Sequence, residues 1–309
     1  MRAIRSREYR DGMTSAPASA ATDAWSLARG RLLGIAYRML GDWGEAEDVV
    51  SEVAITALAA EREHTPVRSW SAWLTTVCVR RSVDRVRTLA AAREVYPGPW
   101  LPEPVDTARL PDEVAATREL LSLTLLHVAE QLTPEARAAL VLHRAFAMTA
   151  PEIGEILQRS PASVRQLISR AERRLDITPD QSVADRANRE ALQRLADAVE
   201  SGDVAAVVEL LEDDATLFSD GGGIVSAARN PIFGADRIAR FLLGVMAKAI
   251  AAGATIEMSA VMVNGELGMD ARRLGDGSGR RDVMVIRLDP SGRVRTLLQV
   301  CNPAKLTRI

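Results

Sequence analysis

Between Arg159 and Arg174 the chain carries five arginines against one acid, Glu172. Guanidinium groups at that density break no bonds of their own; they hold phosphates and, beside an amide such as Gln166, read the edges of guanine and adenine. The chain as a whole is nearly neutral, with a formal charge of -2 over 309 residues, so affinity for a polyanion has to come from a local patch. Side chains suited to covalent chemistry are sparse. His64, His127 and His143 are the only histidines, and Cys78 and Cys301 match no metal or redox spacing. The expectation is a non-enzyme with no catalytic residue, no metal and no cofactor, its thiols reduced in a cytoplasmic setting.

The helices that position the cluster are legible. Thr149 and Glu152 have the spacing of a capping box, with Ile153, Ile156 and Leu157 on the inner face. Ser160 followed by Pro161 marks the next helix start. There Val164, Leu167, Ile168, Ala171 and Leu175 form an apolar stripe, which leaves Ser163, Arg165, Gln166, Ser169, Arg170 and Arg173 on a face without an acid. A helix-turn-helix inserts the N-terminal part of its second helix into the major groove, and Ser160 with this face has the chemistry for it. An ordinary helical hairpin with a solvated face has the same periodicity.

Residues 1–22 are small, polar and Arg-bearing, the composition of a disordered tail, with Met13 as an alternative start. A first helical pattern ends at Gly41, with Leu27, Leu32, Leu33, Ile35, Ala36, Met39 and Leu40 expected inside. A second opens at Asp42, in capping-box spacing with Glu45, and buries Ala46, Val49, Val50, Val53, Ala57 and Leu58. A third spans 69–87, with Trp70, Trp73, Leu74 and Val77 on one face and Arg80, Arg81, Arg85 and Arg87 toward its end. Asp84 falls in phase with that apolar face, so an ion pair with Arg81 is expected. Five prolines in 94–113 forbid continuous helix and predict an extended linker over 94–111. Helices resume over 112–178, and a second boundary falls near 178–184. Helical patterns over 186–200, 203–211 and 234–252 precede three alternating segments with turn signals at Asn264-Gly265 and 289–292. The block 185–309 therefore reads as α+β with an antiparallel sheet. No apolar run reaches membrane-spanning length.

Taken in order, LLGIAYRMLGDWGEAEDVVSEVAITAL with WSAWLTTVCVRRSVDRVR, and then the arginine-bearing helix pair, resemble regions 2 and 4 of the extracytoplasmic-function (ECF) sigma factors of RNA polymerase. The resemblance covers about 25–175 and implies two all-α domains, 23–93 and 112–178, that direct promoter-specific initiation. It implies that Glu45, Glu47 and Asp48 dock on the β′ clamp helices and that the second domain meets the β flap. Loop 61–69 would capture a flipped -10 base. Arg68, Trp70, Arg80, Arg85 and Arg87 would contact -10 DNA, and the face from Ser160 to Arg173 would read a -35 element. On periodicity alone, Trp70 and Trp73 are core residues and the arginines a solvated helix end.

Three further motifs resemble a sigma-J-like subgroup that carries a SnoaL-like, NTF2-fold cone domain, here 185–309. They are Trp100, Leu101, Pro102, Glu103 and Pro104; Asp220, Gly221, Gly222 and Gly223; and Asn302, Pro303, Ala304, Lys305 and Leu306, where the family's last motif has an acid in place of Ala304. The resemblance implies that this domain regulates the sigma regions in cis, with these motifs at interdomain contacts and the sign of control open. No histidine falls in this block, which excludes a His-Asp pair. Asp220 is left as either a lone base or a turn residue before glycines. The Pro-rich motif either crosses polymerase in extended form or packs on the C-terminal domain. The alternative function is a cone whose apolar pocket takes an unknown apolar ligand, or works as an enzyme, coupled to a helix-turn-helix regulator.

Overall fold

The computed structural model describes residues 19–106, 121–175 and 181–309, with the backbone alone for 181–186. Outside the described residues lie the tail up to residue 18, the end of the linker at 107–111, the start of the next helical pattern at 112–120, and 176–180 of the second boundary.

The first helix, α1 (Ala20–Leu40), begins at Ser19, whose hydroxyl accepts from Thr22 N, and ends at Gly41 with φ 67°. In α2 (Trp43–Arg62) the Asp42 carboxylate accepts from Glu45 N, while the Glu45 side chain turns to Arg85. Helix α3 (Trp70–Glu94) runs past the expected end at Arg87, because the residues that follow are good helix formers and the first breaker is Pro97. Its buried stripe is Leu74, Thr75, Cys78, Val79, Ser82 and Val83, centred about one residue beyond the expected one. Asp84 therefore faces solvent and pairs with Arg87, not Arg81, which reaches Glu52 instead. Leu27 and Leu58, expected inside, are exposed.

Helices α4 (Leu123–Ala129), α5 (Pro134–Phe146), α6 (Ala150–Leu157) and α7 (Pro161–Leu175) follow. The Thr149–Glu152 capping box closes as expected, and Ser160 Oγ accepts from Ser163 N. The α6–α7 turn is tight enough that a Cβ on Gly154 would sit 2.6 Å from Arg159 O. Buried residues of α1 and α3, such as Leu33 and Leu74, and of α5 to α7, such as Leu140, Ile153 and Ile168, share one continuous core.

The remaining elements are α8 (Gln181–Glu200), α9 (Val204–Leu210), β1 (Leu211–Asp220), β2 (Ile232–Phe233), α10 (Ala235–Ala251), β3 (Thr255–Val263), β4 (Glu266–Leu274), β5 (Arg281–Leu288) and β6 (Val294–Val300). The sheet order is β2-β1-β6-β5-β4-β3. It is mixed, not antiparallel throughout: the β3 to β6 meander returns the last strand beside β1 and parallel to it. Alternation sorts the side chains cleanly. Leu217, Met284, Ile286 and Leu297 pack toward α8 to α10, whereas Val283, Val285, Leu298 and Val300 pack on Leu101 of the linker and Leu123 of α4. The central strands β1, β6 and β5 are thus covered on both faces, and the second face holds the helical part of the molecule.

Candidate nucleic-acid and interdomain sites

Helix α7 presents the face its sequence foretells. Val164, Ile168, Ala171 and Leu175 are buried, and Arg165, Gln166, Ser169, Arg170 and Arg173 are exposed, with Ser160 exposed just before the helix and Ser163 half-buried in its first turn. The single acid turns away, since Glu172 lies 3.7 Å from Arg144 of α5. Arg165 and Arg170 make no ion pair among the described residues. A cationic, hydrogen-bonding surface is left for an anionic partner.

The arginines of α3 are differently placed. Arg85 bonds Glu45 at 2.5 Å and Glu52 at 2.7 Å. Arg87 bonds Asp84 and, at 2.6 Å, Glu135 of α5. Arg80 donates its Nε to Ile156 O of α6 at 3.0 Å. In this arrangement Arg80 and Arg87 tie the first helical region to the second. Arg68 is exposed, and the half-buried rings of Trp70 and Trp73 meet edge to face at 5.5 Å. Of the acids on α2, Asp48 is exposed, Glu45 is taken by Arg85, and Glu47 accepts from Arg308 at 2.9 Å.

The three motifs of the linker and C-terminal block converge on Asp220, which is fully buried. Its carboxylate accepts from Tyr96 OH at 2.6 Å, Leu101 N at 3.0 Å, Gly222 N at 3.0 Å and Lys305 Nζ at 2.7 Å. Lys305 also donates to Leu101 O at 2.5 Å and lies 4.2 Å from the centre of the Trp100 ring. Burial pulls the Lys305 ammonium below its ordinary pKa, with the Asp220 charge opposing. The turn Pro303–Lys305 aims that side chain, while Ala304 is exposed and gives only its N–H, to Asn302 Oδ1. The usual acid is not required for these contacts. Gly222, with φ 62°, leaves room for Asn302, whose Nδ2 would be 2.3 Å from an added Cβ. Gly221 and Gly223 continue the turn, and Leu306 joins Leu101 and Val300 in the core on this face.

Linker residues 101–105 are buried. Pro102 and Pro104 lie inside the molecule, and Leu101 packs on the sheet of the C-terminal block. Glu103 accepts from Trp43 N at 2.8 Å, and its backbone O accepts from Tyr37 OH at 2.6 Å. Burial pushes the Glu103 carboxyl up. Arg93 stacks 3.5 Å over Trp100 and bonds Glu130, which also holds the buried Arg137 at 2.5 Å.

Sequence reasoning missed Tyr37, Arg93, Tyr96, Arg308 and above all Asn264. At the tip of the β3–β4 hairpin, Asn264 is buried with φ 55°. Its Nδ2 donates to Tyr37 OH at 2.6 Å and to Leu121 O at 2.9 Å, and its Oδ1 accepts from Val105 N at 2.9 Å. One side chain thus touches the first helical region, the linker and the segment leading into α4. The Asn-Gly turn was visible in the sequence; what the turn docks against was not.

The sigma-70 region 2 family matches residues 26–92, and the family described as sigma-70, region 4, matches 122–175, so the helical part has the two regions of a sigma-70 type transcription factor in order. The chain is 35% identical over 288 residues to the ECF RNA polymerase sigma factor SigJ of Mycobacterium tuberculosis strain H37Rv, spanning 90% of this chain and 91% of that one. It is 28% identical over 231 residues to the probable ECF RNA polymerase sigma factor SigI of the same strain, covering 71% and 75%. The crystal structure of M. tuberculosis SigJ matches with a TM-score of 0.71 at 32% identity, over 92% of this chain and 98% of that one. The chain belongs to the ECF sigma factors of RNA polymerase, which bind core polymerase and promoter DNA. Among the described residues no helix is long and apolar enough to cross a membrane.

Proposed function

We propose that α7 reads the -35 element with the face from Ser160 to Arg173, that α3 and loop 61–69 open the -10 element, and that the C-terminal domain, SnoaL-like in design, controls both in cis without catalysis of its own. The clamp-docking surface is Glu45, Glu47 and Asp48, and region 4 meets the β flap. The observation that carries the regulatory reading is the direct contact of α3 with α6 through Arg80 and Ile156 O. Promoter elements named -10 and -35 lie roughly 25 base pairs apart, ~80 Å at about 3.4 Å per pair, so touching regions cannot engage both at once. The arrangement is therefore a resting form, held by the Asp220 and Asn264 contacts, in which Arg80, Arg85 and Arg87 are occupied and Arg308 sits on Glu47.

The test is run-off transcription with purified core polymerase on upstream DNA selected from the source genome. The full chain is compared with an Asn264→Gly, Arg308→Ala variant. The reading expects initiation by both, stronger for the variant. A variant that initiates no better than the full chain would overturn the reading of the C-terminal domain as a restraint in cis.

A further inference from the structure

The core on the α8 to α10 face of the sheet is not filled. An open-mouthed apolar cavity lies between Leu195 of α8, Met246 of α10 and the strand methionines Met258, Met269 and Met284. Unbranched thioethers adapt to a guest in a way that β-branched walls do not. The polar groups of the lining, Arg273, Asp282 and Gln299, bring one carboxylate and one guanidinium to this apolar space. Asp282 is already held, with Arg280 Nε at 2.9 Å and 3.2 Å from its two oxygens, and Arg280 spends a further donor on Ser226 O at 2.7 Å. Arg273 is held less closely. Its side chain is only 14% exposed, it approaches Asp282 no closer than 4.0 Å, and it makes no side-chain hydrogen bond among the described residues. Arg273 thus has Asp282 only at the long end of ion-pair distance and Asp276 as a further charged neighbour, so its guanidinium donors stay unfilled beside an apolar cavity, where a charge withdrawn from water gains from a closer partner.

We propose that this cavity binds an apolar monocarboxylate, an alkyl or aryl-alkyl acid, with the carboxylate on Arg273 and the hydrocarbon among the methionines. The planar guanidinium takes a carboxylate through two parallel hydrogen bonds, which a hydroxyl or an ammonium cannot reproduce. The site also adjoins the interdomain joint, because Gln299 Oε1 accepts from Ser219 Oγ at 2.9 Å and Ser219 precedes Asp220. Ligand binding here does not depend on the promoter reading, since it is a property of the free protein.

The experiment is calorimetric titration of the full chain with octanoate, 3-phenylpropionate, octanol and octylamine, each below its aggregation limit. At least one of the two acids binds, and octanoate binds about tenfold or more tighter than octanol, a gap of about 1.4 kcal/mol. In Arg273→Gln the acid falls to the affinity of the alcohol, while octanol still binds within about twofold of its native affinity, which shows that the cavity survives. Arg273→Lys keeps a reduced preference for the acid. The proposal is overturned if neither acid binds, if octanoate and octanol bind the native chain alike, or if Arg273→Gln retains the preference.

Discussion

Asp220 has four donors around a carboxylate that no water reaches, and three of them, from Tyr96, Leu101 and Lys305, come from segments remote in sequence. Breaking a buried pair from one side strands the other charge, so Asp220→Asn should cost about 3 kcal/mol or more in urea unfolding. Adding Lys305→Met to it should recover part of that loss, and a double variant no more stable than the single one would show that the pair is not coupled. On α7 the expectation is different in kind. Arg165→Ala should lose about 1–3 kcal/mol of discrimination at one -35 position, whereas Arg173→Ala should weaken all sequences alike and reduce the salt dependence by about one ion. His127 gives a pH signature. Its ring meets Phe218 of β1 at 4.6 Å, its Nδ1 is buried with no hydrogen-bond partner among the described residues, and burial holds its pKa below the ordinary value. A proton is then taken up more readily once the site opens, so the α4–sheet contact is at full strength above about pH 6.5 and weakens as pH falls below it. Unfolding of His127→Gln should lack this component, read as a flatter stability profile between about pH 7.5 and pH 5.5. The sequence placed Asp220 before glycines and allowed a turn there, and left its burial unseen because Tyr96 is 124 residues away.

At the scale of elements, local signals served well where the determinant was local. Ser160 with Pro161, the Thr149–Glu152 box and the Asn264-Gly265 hairpin all form where their residues stand. They served less well where a partner from elsewhere decided the outcome. The phase of α3 is set by the helices it packs on, and this is why Asp84 turns outward and why arginines suited to phosphate are bound to Glu45, Glu52 and Glu135. The parallel β1–β6 pairing depends on a crossover through α10 that no strand pattern reports. The β3–β4 hairpin tests how much a docked turn contributes. Asn264→Gly keeps the positive φ but deletes the bonds to Tyr37, Leu121 and Val105, and should cost about 2–3 kcal/mol, the range for buried groups left unpaired. Asn264→Ala should cost about 1 kcal/mol more, because an alanine also has to hold the left-handed backbone. Equal stability of Asn264→Gly and the native chain would mean that the tip rests on the helical part without holding it.

At the scale of the whole molecule, one sheet has both faces of its central strands covered. One closes the cavity against α8 to α10, and the other grips the linker and α4, so the helical regions are held where they share a core. The domain order was legible from motifs; the packing between domains was not, since it rests on single side chains such as Arg80, Asn264 and Lys305. The central claim is that regions 2 and 4 rest in contact and part when polymerase binds. It is tested most directly by the distance between spin labels at Ala91→Cys on α3 and Glu155→Cys on α6, both exposed, with the native Cys78 and Cys301 buried and out of reach of the reagent. Double electron–electron resonance should give one short, narrow distance for the free protein and a distance longer by tens of ångströms with core polymerase and promoter DNA. An unchanged distance in a complex that initiates transcription would contradict the account.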